Sequence, residues 1–337
     1  VTGDYLEPMD DLLTGDLDKE NFLQGFIRDV YLTRPDGEGG YFPMLPFMGE
    51  ALMFGVNTDV YKKAGFWKDS LPVGPPSLDE NDFITYFRRI ARHTEEGALL
   101  VLWNDEYLPY HYIGPVLAMR GSFLGKNGQG FDVTSDAAKG WLRLLQRMKG
   151  IVKRQPLEVA LSGDRAAELW ASGKCGAYYA LQEEIIALGL QPEKPLTIVG
   201  FLNFPGAELN GSIIRTQTTW IPRVSPNKDI ARAFLREEIF SLPFQQWQYN
   251  NHGRLPVLRD AYGDGVTRYR AYLPLFLNLA DNSRSIPLWR DYERYRKVFN
   301  AAIRDAIDGK LPIEEALSRI KTASAGFDFT DMRAVIE

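Results

Sequence analysis

Short β-rich runs alternating with amphipathic stretches constrain this chain more than any other feature. Runs at Ala51–Asn57, Leu99–Trp103, Cys175–Leu181, Leu196–Phe204 and Thr218–Val224 are each bounded by Gly, Pro or polar residues and read as strands. Between them, Trp141, Leu144, Leu145 and Met148 fall at i, i+3, i+4 and i+7 behind Thr134-Ser-Asp, which gives a helix with one apolar face and an N-cap candidate. Ser77-Leu-Asp-Glu80 fits a capping box ahead of the helical segment Phe83–Ala91. Ile230–Ile239 and Tyr292–Ile307 share the helical period, and Pro312 opens another short helix whose first turn holds Glu314 and Glu315, where they complement the dipole. Strands alternating with helices predict an α/β protein with largely parallel sheets.

At 337 residues the chain is long enough for two packed cores, taking about 150 residues per domain as a prior. Its 39 Lys and Arg against 44 Asp and Glu give a net charge of −5, and no basic run exceeds a pair, so there is no electrostatic footprint for a nucleic acid partner. Aromatics are abundant, with 7 Trp, 16 Tyr and 19 Phe, faces that suit sugar stacking as well as ordinary cores. The single cysteine, Cys175, lies in an apolar stretch and reads as a buried, inert thiol. His93, His111 and His252 are scattered without metal-ligand spacing, so no metal and no cofactor is expected. No stretch approaches the roughly 18 apolar residues of a membrane span, and Val1-Thr-Gly-Asp-Tyr5 lacks the regions of a signal peptide.

Motifs for chemistry mostly fail. Gly125-Lys-Asn-Gly-Gln-Gly130 lacks the Gly-Lys-Ser/Thr ending of a phosphate loop and reads as a turn. Ser225-Pro-Asn-Lys228 matches a loose acyl-transfer pattern, yet between a strand and a helix Ser and Asn read as caps. Asp105 and Glu106 could supply one half of a glycosidase carboxylate pair, but nothing nominates the second carboxyl.

Several segments in order resemble one family. Pro46–Lys63 (PFMGEALMFGVNTDVYKK) resembles the strand and "Asn-x-Asp-x-(Tyr/Phe)-x-Lys" helix start of ABC-transporter extracellular solute-binding proteins, in the large carbohydrate-binding family that includes maltose-binding proteins. Trp170–Tyr178 resembles the family's "Phe-x-x-Gly-Lys-x-Ala-Met" passage, and Thr197–Gly206 its "Gly-x-x-Pro-x-Pro-Gly" stretch. The segment from Trp220-Ile-Pro to Phe234-Leu235 resembles the return strand and helix, Gly253-Arg-Leu-Pro256 the turn after it, and Gly309-Lys310 with Glu314-Glu-Ala-Leu317 the terminal "Gly-Lys-x-x-x-Glu-Glu-Ala-Leu". The shared order covers nearly the whole chain from Tyr41 onward.

The resemblance implies a two-lobe periplasmic-binding-protein-like fold of type II, with ligand held in a cleft between lobes and chain crossings near 47–52, 215–220 and 281–288. The first lobe is expected to comprise 1–52 and 215–288, and the second 53–214 and 289–337. One departure is large. The family's leading strand-helix-strand units, on the order of 90 residues at roughly 30 per unit, have no counterpart here, so the first lobe is expected to be incomplete at its N-terminus, with sheet edges left unpaired.

By the same resemblance the ligand-binding candidates are Glu50, Trp103, Glu106, Tyr107, Tyr110, Gln182, Trp220, Trp289 and Tyr292. Glu50 aligns with a pocket glutamate, the alternative being a carboxylate paired with an arginine. Trp103 to Tyr110 follow a strand end, where open α/β sheets present ligand residues, or else pack beneath the loop. Gln182 stands where the family often places an aromatic platform, and Trp289 and Tyr292 lie one turn apart on a stripe that Arg296 and Phe299 continue, a pattern that also suits core. The implied function is the substrate-binding component of an ABC importer. It would capture a sugar or oligosaccharide without catalysis, outside the cytoplasm, as a monomer that meets a membrane permease. Two other readings stay open: a glycoside-active enzyme using Asp105 or Glu106, and ferric-iron capture by Tyr178 and Tyr179, although adjacent strand residues face opposite sides.

Overall fold

The computed structural model describes residues 5–33, 39–69, 71–73, 79–101, 107–119, 121–122, 124–125, 129–149, 151–154, 168–189, 196–200, 213–267, 270–286 and 289–329. Its strands are β1 (Leu32–Thr33), β2 (Gly40–Tyr41), β3 (Leu45–Asn57), β4 (Trp67–Lys68), β5 (Leu71–Pro72), β6 (Gly97–Val101), β7 (Val152–Arg154), β8 (Cys175–Leu181), β9 (Leu196–Gly200), β10 (Ile213–Thr219) and β11 (Arg284–Ser285). Its α-helices are α1 (Gln24–Ile27), α2 (Thr58–Lys63), α3 (Glu80–Ala91), α4 (Leu108–Ala118), α5 (Asp136–Arg147), α6 (Gln182–Gly189), α7 (Lys228–Phe234), α8 (Leu242–His252), α9 (Leu273–Asn282), α10 (Tyr292–Asp308) and α11 (Ile313–Ala323). The chain divides into two compact units, unit 1 from residues 1–51, 213–290 and 330–337, and unit 2 from 52–212 and 291–329.

In unit 1 the N-terminal part of β3 runs antiparallel to β10, and β11 lies parallel on the other side of β10. On the free side of β3, Gly49 exchanges both backbone hydrogen bonds with Leu255, at 3.0 and 2.8 Å. The core beneath holds Phe22, Phe26, Tyr249, Leu255 and Phe276, all fully buried. Gly25 must be glycine there, because a Cβ would stand 2.1 Å from the Ala280 carbonyl oxygen.

In unit 2 the C-terminal part of β3 is flanked by β8 and β9, both antiparallel to it, and β6 lies parallel between β8 and β7. The largely parallel sheets expected from sequence are therefore mixed, with β3 opposing each of its neighbours. A strand buried on both faces reads as the same apolar run in either direction, so its sense was not written in the residues. Around it α3, α4, α5 and α10 bury Phe83, Phe87, Tyr112, Trp141 and Phe299. Cys175 is buried and in no disulfide. No helix among the described residues is long and apolar enough to cross a membrane.

Several boundaries move. The strand expected at Ala51–Asn57 begins at Leu45, since Pro46 and Gly49 resemble breakers but sit within the ladder. The strand expected at Thr218–Val224 is Ile213–Thr219, and beyond it only Pro222 pairs, in a bridge to Leu6. At α3 the cap is Asp79, whose carboxylate accepts the amides of Asn81 and Asp82 at 2.6 and 2.8 Å, while Ser77 lies outside the described residues. Ser135 caps α5 by accepting the Ala138 amide at 3.1 Å. Asn227 stands at the N-cap of α7 without a side-chain cap bond, and Ser225 instead accepts the Asn227 amide at 3.3 Å. The Gly125–Gly130 segment is a turn at its described ends, closed by the Gly125 amide donating to the Gly130 carbonyl at 3.1 Å.

Candidate functional site

The most buried of the candidate residues is Glu50, which has no exposed surface. Alternation along β3 sends Met48 and Glu50 to one face, and the antiparallel register sets Arg215 opposite Glu50 and Gln217 opposite Met48. Arg215 Nε donates to Glu50 Oε2 at 2.6 Å and Gln217 Nε2 to Glu50 Oε1 at 3.3 Å. Arg254 extends the cluster, its Nη1 3.3 Å from Gln217 Oε1 and 2.9 Å from Met48 Sδ. The chain brings Arg254 there because α8 ends at Gly253 in the left-handed conformation (φ 70°), which turns 254–256 alongside Gly49. Gly49 has its own reason, since a Cβ would enter the Phe26 ring at 2.0 Å. A buried carboxylate with two hydrogen-bonded partners, one cationic, meets the condition under which burying charge is tolerable.

The paired-carboxylate alternative for Glu50 is thus realised in the structure. Sequence reasoning named Glu50 but missed Arg215, Gln217 and Arg254. The available signal was the period-2 placing of Arg215 and Gln217 in an otherwise apolar or Thr-rich strand, which puts two long polar side chains on one face.

In unit 2, Tyr107 stands at the N-cap of α4 and Tyr110 in its first turn, both half-buried. Tyr292 opens α10, also half-buried, and lies near enough to Tyr110 for their phenols to interact electrostatically. Burial above all, with Tyr110 adding to it, pushes the Tyr292 phenol well above its ordinary value, so it remains a neutral O–H able to donate and accept. Gln182 is fully buried at the junction of β8 and α6. On the Tyr292 stripe, Phe299 is core and Arg296 bonds Glu293 at 2.6 Å. In unit 1, Trp289 is buried and Trp220, just past β10, is half exposed. Trp103, Asp105 and Glu106 lie outside the described residues.

Tyr178 and Tyr179 are both buried and point to opposite faces of β8, Tyr178 against Trp170 and Tyr179 edge-on to His111 with ring centroids 5.2 Å apart. They cannot ligate one ion together, and burial pushes the Tyr179 phenol far up, away from the phenolate a ferric ion needs. Among the described residues no group of three or more His, Cys, Asp or Glu is placed to hold a metal.

Other family-like segments turn out to be structural. Asn57 caps α2 by accepting the Val60 amide at 3.2 Å and donates from Nδ2 to the Trp170 carbonyl at 3.0 Å. One side chain thereby ties the "Asn-x-Asp" motif to the Trp170-Ala-Ser-Gly-Lys motif.

The sequence matches the family model of bacterial extracellular solute-binding proteins over residues 1–237. The chain belongs to this family. No curated protein sequence matches the chain significantly. Among solved structures, maltose-bound MalE3 of T. maritima superposes with a TM-score of 0.76 at 16% identity, covering 96% of this chain and 80% of that one. MalE of the phytopathogen Xanthomonas citri gives 0.74 at 16% identity, with 95% and 78% covered. UgpB of Mycobacterium tuberculosis, solved in complex with glycerophosphocholine, gives 0.71 at 15% identity, with 95% and 78% covered. The chain has the two-lobe fold of these solute-binding proteins, as the sequence motifs imply. At such identities the likeness extends to the fold and leaves the bound solute to be argued from the site.

Proposed function

We propose that this solute-binding protein is the substrate-binding component of an ABC importer, and that it captures a sugar or oligosaccharide outside the cytoplasm without transforming it. The observation that carries this reading is the family match over residues 1–237. The site chemistry supports a sugar. Tyr110 and Tyr292 offer phenol hydroxyls on aromatic rings, and Gln182 adds an amide, the combination that suits hydroxyl groups and apolar C–H faces of a pyranose. Trp103, Glu106, Tyr107, Trp220 and Trp289 complete the proposed set, and Glu50 contributes by holding Arg215 and Gln217 in place. Several structural relatives were solved with sugars, among them an Arthrobacter chlorophenolicus A6 sugar transporter with bound laminaribiose, at a TM-score of 0.72 and 14% identity. The expected partner is a membrane permease, and the expected solution state a monomer.

A thermal-shift screen of the purified protein against mono- and oligosaccharides, run beside chromogenic glycosides, tests both halves of the proposal. A saturable rise in midpoint with one sugar series and no chromophore release is the expected outcome. Turnover of a glycoside that disappears in Glu106→Gln would replace the receptor reading with an enzymatic one.

A further inference from the structure

Unit 2 contains a cavity that none of the described ligand candidates lines. It lies between the segment 125–134, α10 and α11, and its volume of about 380 Å3 falls inside the range of roughly 300 to 1,000 Å3 typical of small-molecule sites. The floor is apolar: Phe131, Val133, Tyr295 and Ile320 are all buried. Small residues face one another across it, Gly125 on the loop side and Ser324 and Ala325 on the α11 side, where longer side chains would fill the space.

The loop wall is held in shape without a ligand. The Asp132 carboxylate accepts the amides of Ser122, Thr134 and Ser135 at 3.0, 3.1 and 3.0 Å, and the Tyr112 hydroxyl donates to the Asp132 carbonyl at 2.9 Å. Gly130 has a left-handed φ of 72°, and a Cβ there would stand 2.6 Å from the Tyr295 ring, so only glycine lets the loop lie against α10. The Tyr295 phenol oxygen accepts the Phe131 amide at 2.9 Å, which fixes the two rings of the floor edge to face, 5.4 Å apart. A wall already ordered in this way loses little conformational freedom when a ligand enters.

Gln129, Thr134 and Lys321 stand exposed at the rim. The lining therefore holds one cation and no carboxylate, since Asp132 is engaged by its three amides. On the same helical hairpin Lys310 and Arg319 both reach Asp305, at 4.0 and 3.6 Å, whereas among the described residues Lys321 makes no ion pair. Its place in the last turn of α11 suits the helix dipole, and its three ammonium donors remain for a ligand.

We infer that this cavity is a second ligand site, for a small organic carboxylate whose ring-sized apolar body rests on Phe131 and Tyr295 and whose carboxylate meets Lys321. Gln129 and Thr134 can donate to the same carboxylate from the loop side. Phe131 also meets Tyr292 edge-on, with centroids 6.4 Å apart, so the site adjoins the proposed sugar residues without sharing any that are described.

Three compounds that share a ring and differ in charge test the assignment: 4-fluorobenzoate, 4-fluorobenzyl alcohol and 4-fluorobenzylamine, each titrated into the 337-residue chain and followed by fluorine NMR. The benzoate should bind saturably at one site. The alcohol should bind about fivefold more weakly, the upper end for an exposed ion pair, and the amine more weakly still. Lys321→Met should cost the benzoate the same factor of about five and leave the alcohol unchanged. Ala325→Trp, at an exposed position of the mouth, should abolish binding of all three without lowering the melting midpoint. The inference is overturned if the benzoate does not bind saturably, if the alcohol binds as tightly, or if either variant leaves the benzoate affinity unchanged. A sugar panel without a hit would leave this site standing, and a failed benzoate titration would leave the sugar reading standing.

Discussion

Glu50 and Arg215 face each other across β3 and β10, with Arg215 Nε 2.6 Å from Glu50 Oε2, the carboxylate wholly buried and the guanidinium at its margin. Removing one partner of such a pair leaves an uncompensated charge in a medium that solvates it poorly. Arg215→Ala is therefore expected to lower unfolding free energy by about 3 to 5 kcal/mol, the range for breaking a buried pair. Glu50→Gln should cost less, since an amide still accepts from Gln217. Urea unfolding of both variants checks the order.

Gln245 ties three segments of unit 1. Its Nε2 donates to the Phe47 and Ile239 carbonyls at 2.8 and 3.0 Å, and its Oε1 accepts the Val257 amide at 3.0 Å. Gln245→Leu keeps the bulk and strands these backbone groups, and a loss of about 1 to 3 kcal/mol per buried group left without a partner is expected from chemical denaturation.

Burial pushes the His111 imidazole from 6.5 down to about 3. Below about pH 6.5 the unfolded chain takes up a proton that the folded chain refuses until about pH 3, so the unfolded state binds more protons throughout that window. Stability is full above the window and is lost as pH falls through it, by about 1.4 kcal/mol per unit. His111→Phe keeps a ring against Tyr179 and removes the titration. Unfolding free energies measured from pH 7 to 4 should fall more gently in the variant than in the parent, and parallel curves would show that His111 titrates normally.

Asn57→Ala removes both the α2 cap and the bond to the Trp170 carbonyl. A loss of about 1 to 3 kcal/mol is expected, the sum of a cap and one buried hydrogen bond. Asn57→Ser, which can still cap, should recover the cap's share.

The α/β class and the family were legible because helix periods and motif order are local or sequential properties. Asn57, Gly173 and Gly253-Arg-Leu-Pro256 could be recognised as motifs for that reason, and the structure gives each a mechanical task at a turn or cap. What was not legible depends on pairing across long separations. Arg215 lies 165 residues from Glu50, and no local pattern announces their bond. The start of β3 was hidden because Pro46 and Gly49 read as breakers, whereas Pro46 sits next to a register shift at Thr218 and Gly49 makes room for Phe26. The sense of β3 likewise follows from tertiary neighbours.

Isothermal titration of the purified protein with a panel of mono- and oligosaccharides, and glycerophosphodiesters beside them, tests the central claim most directly. One sugar series should bind saturably at one site per chain, and be recovered unchanged afterwards. Tight binding of a glycerophosphodiester or another solute, with no heat from any sugar, would contradict it.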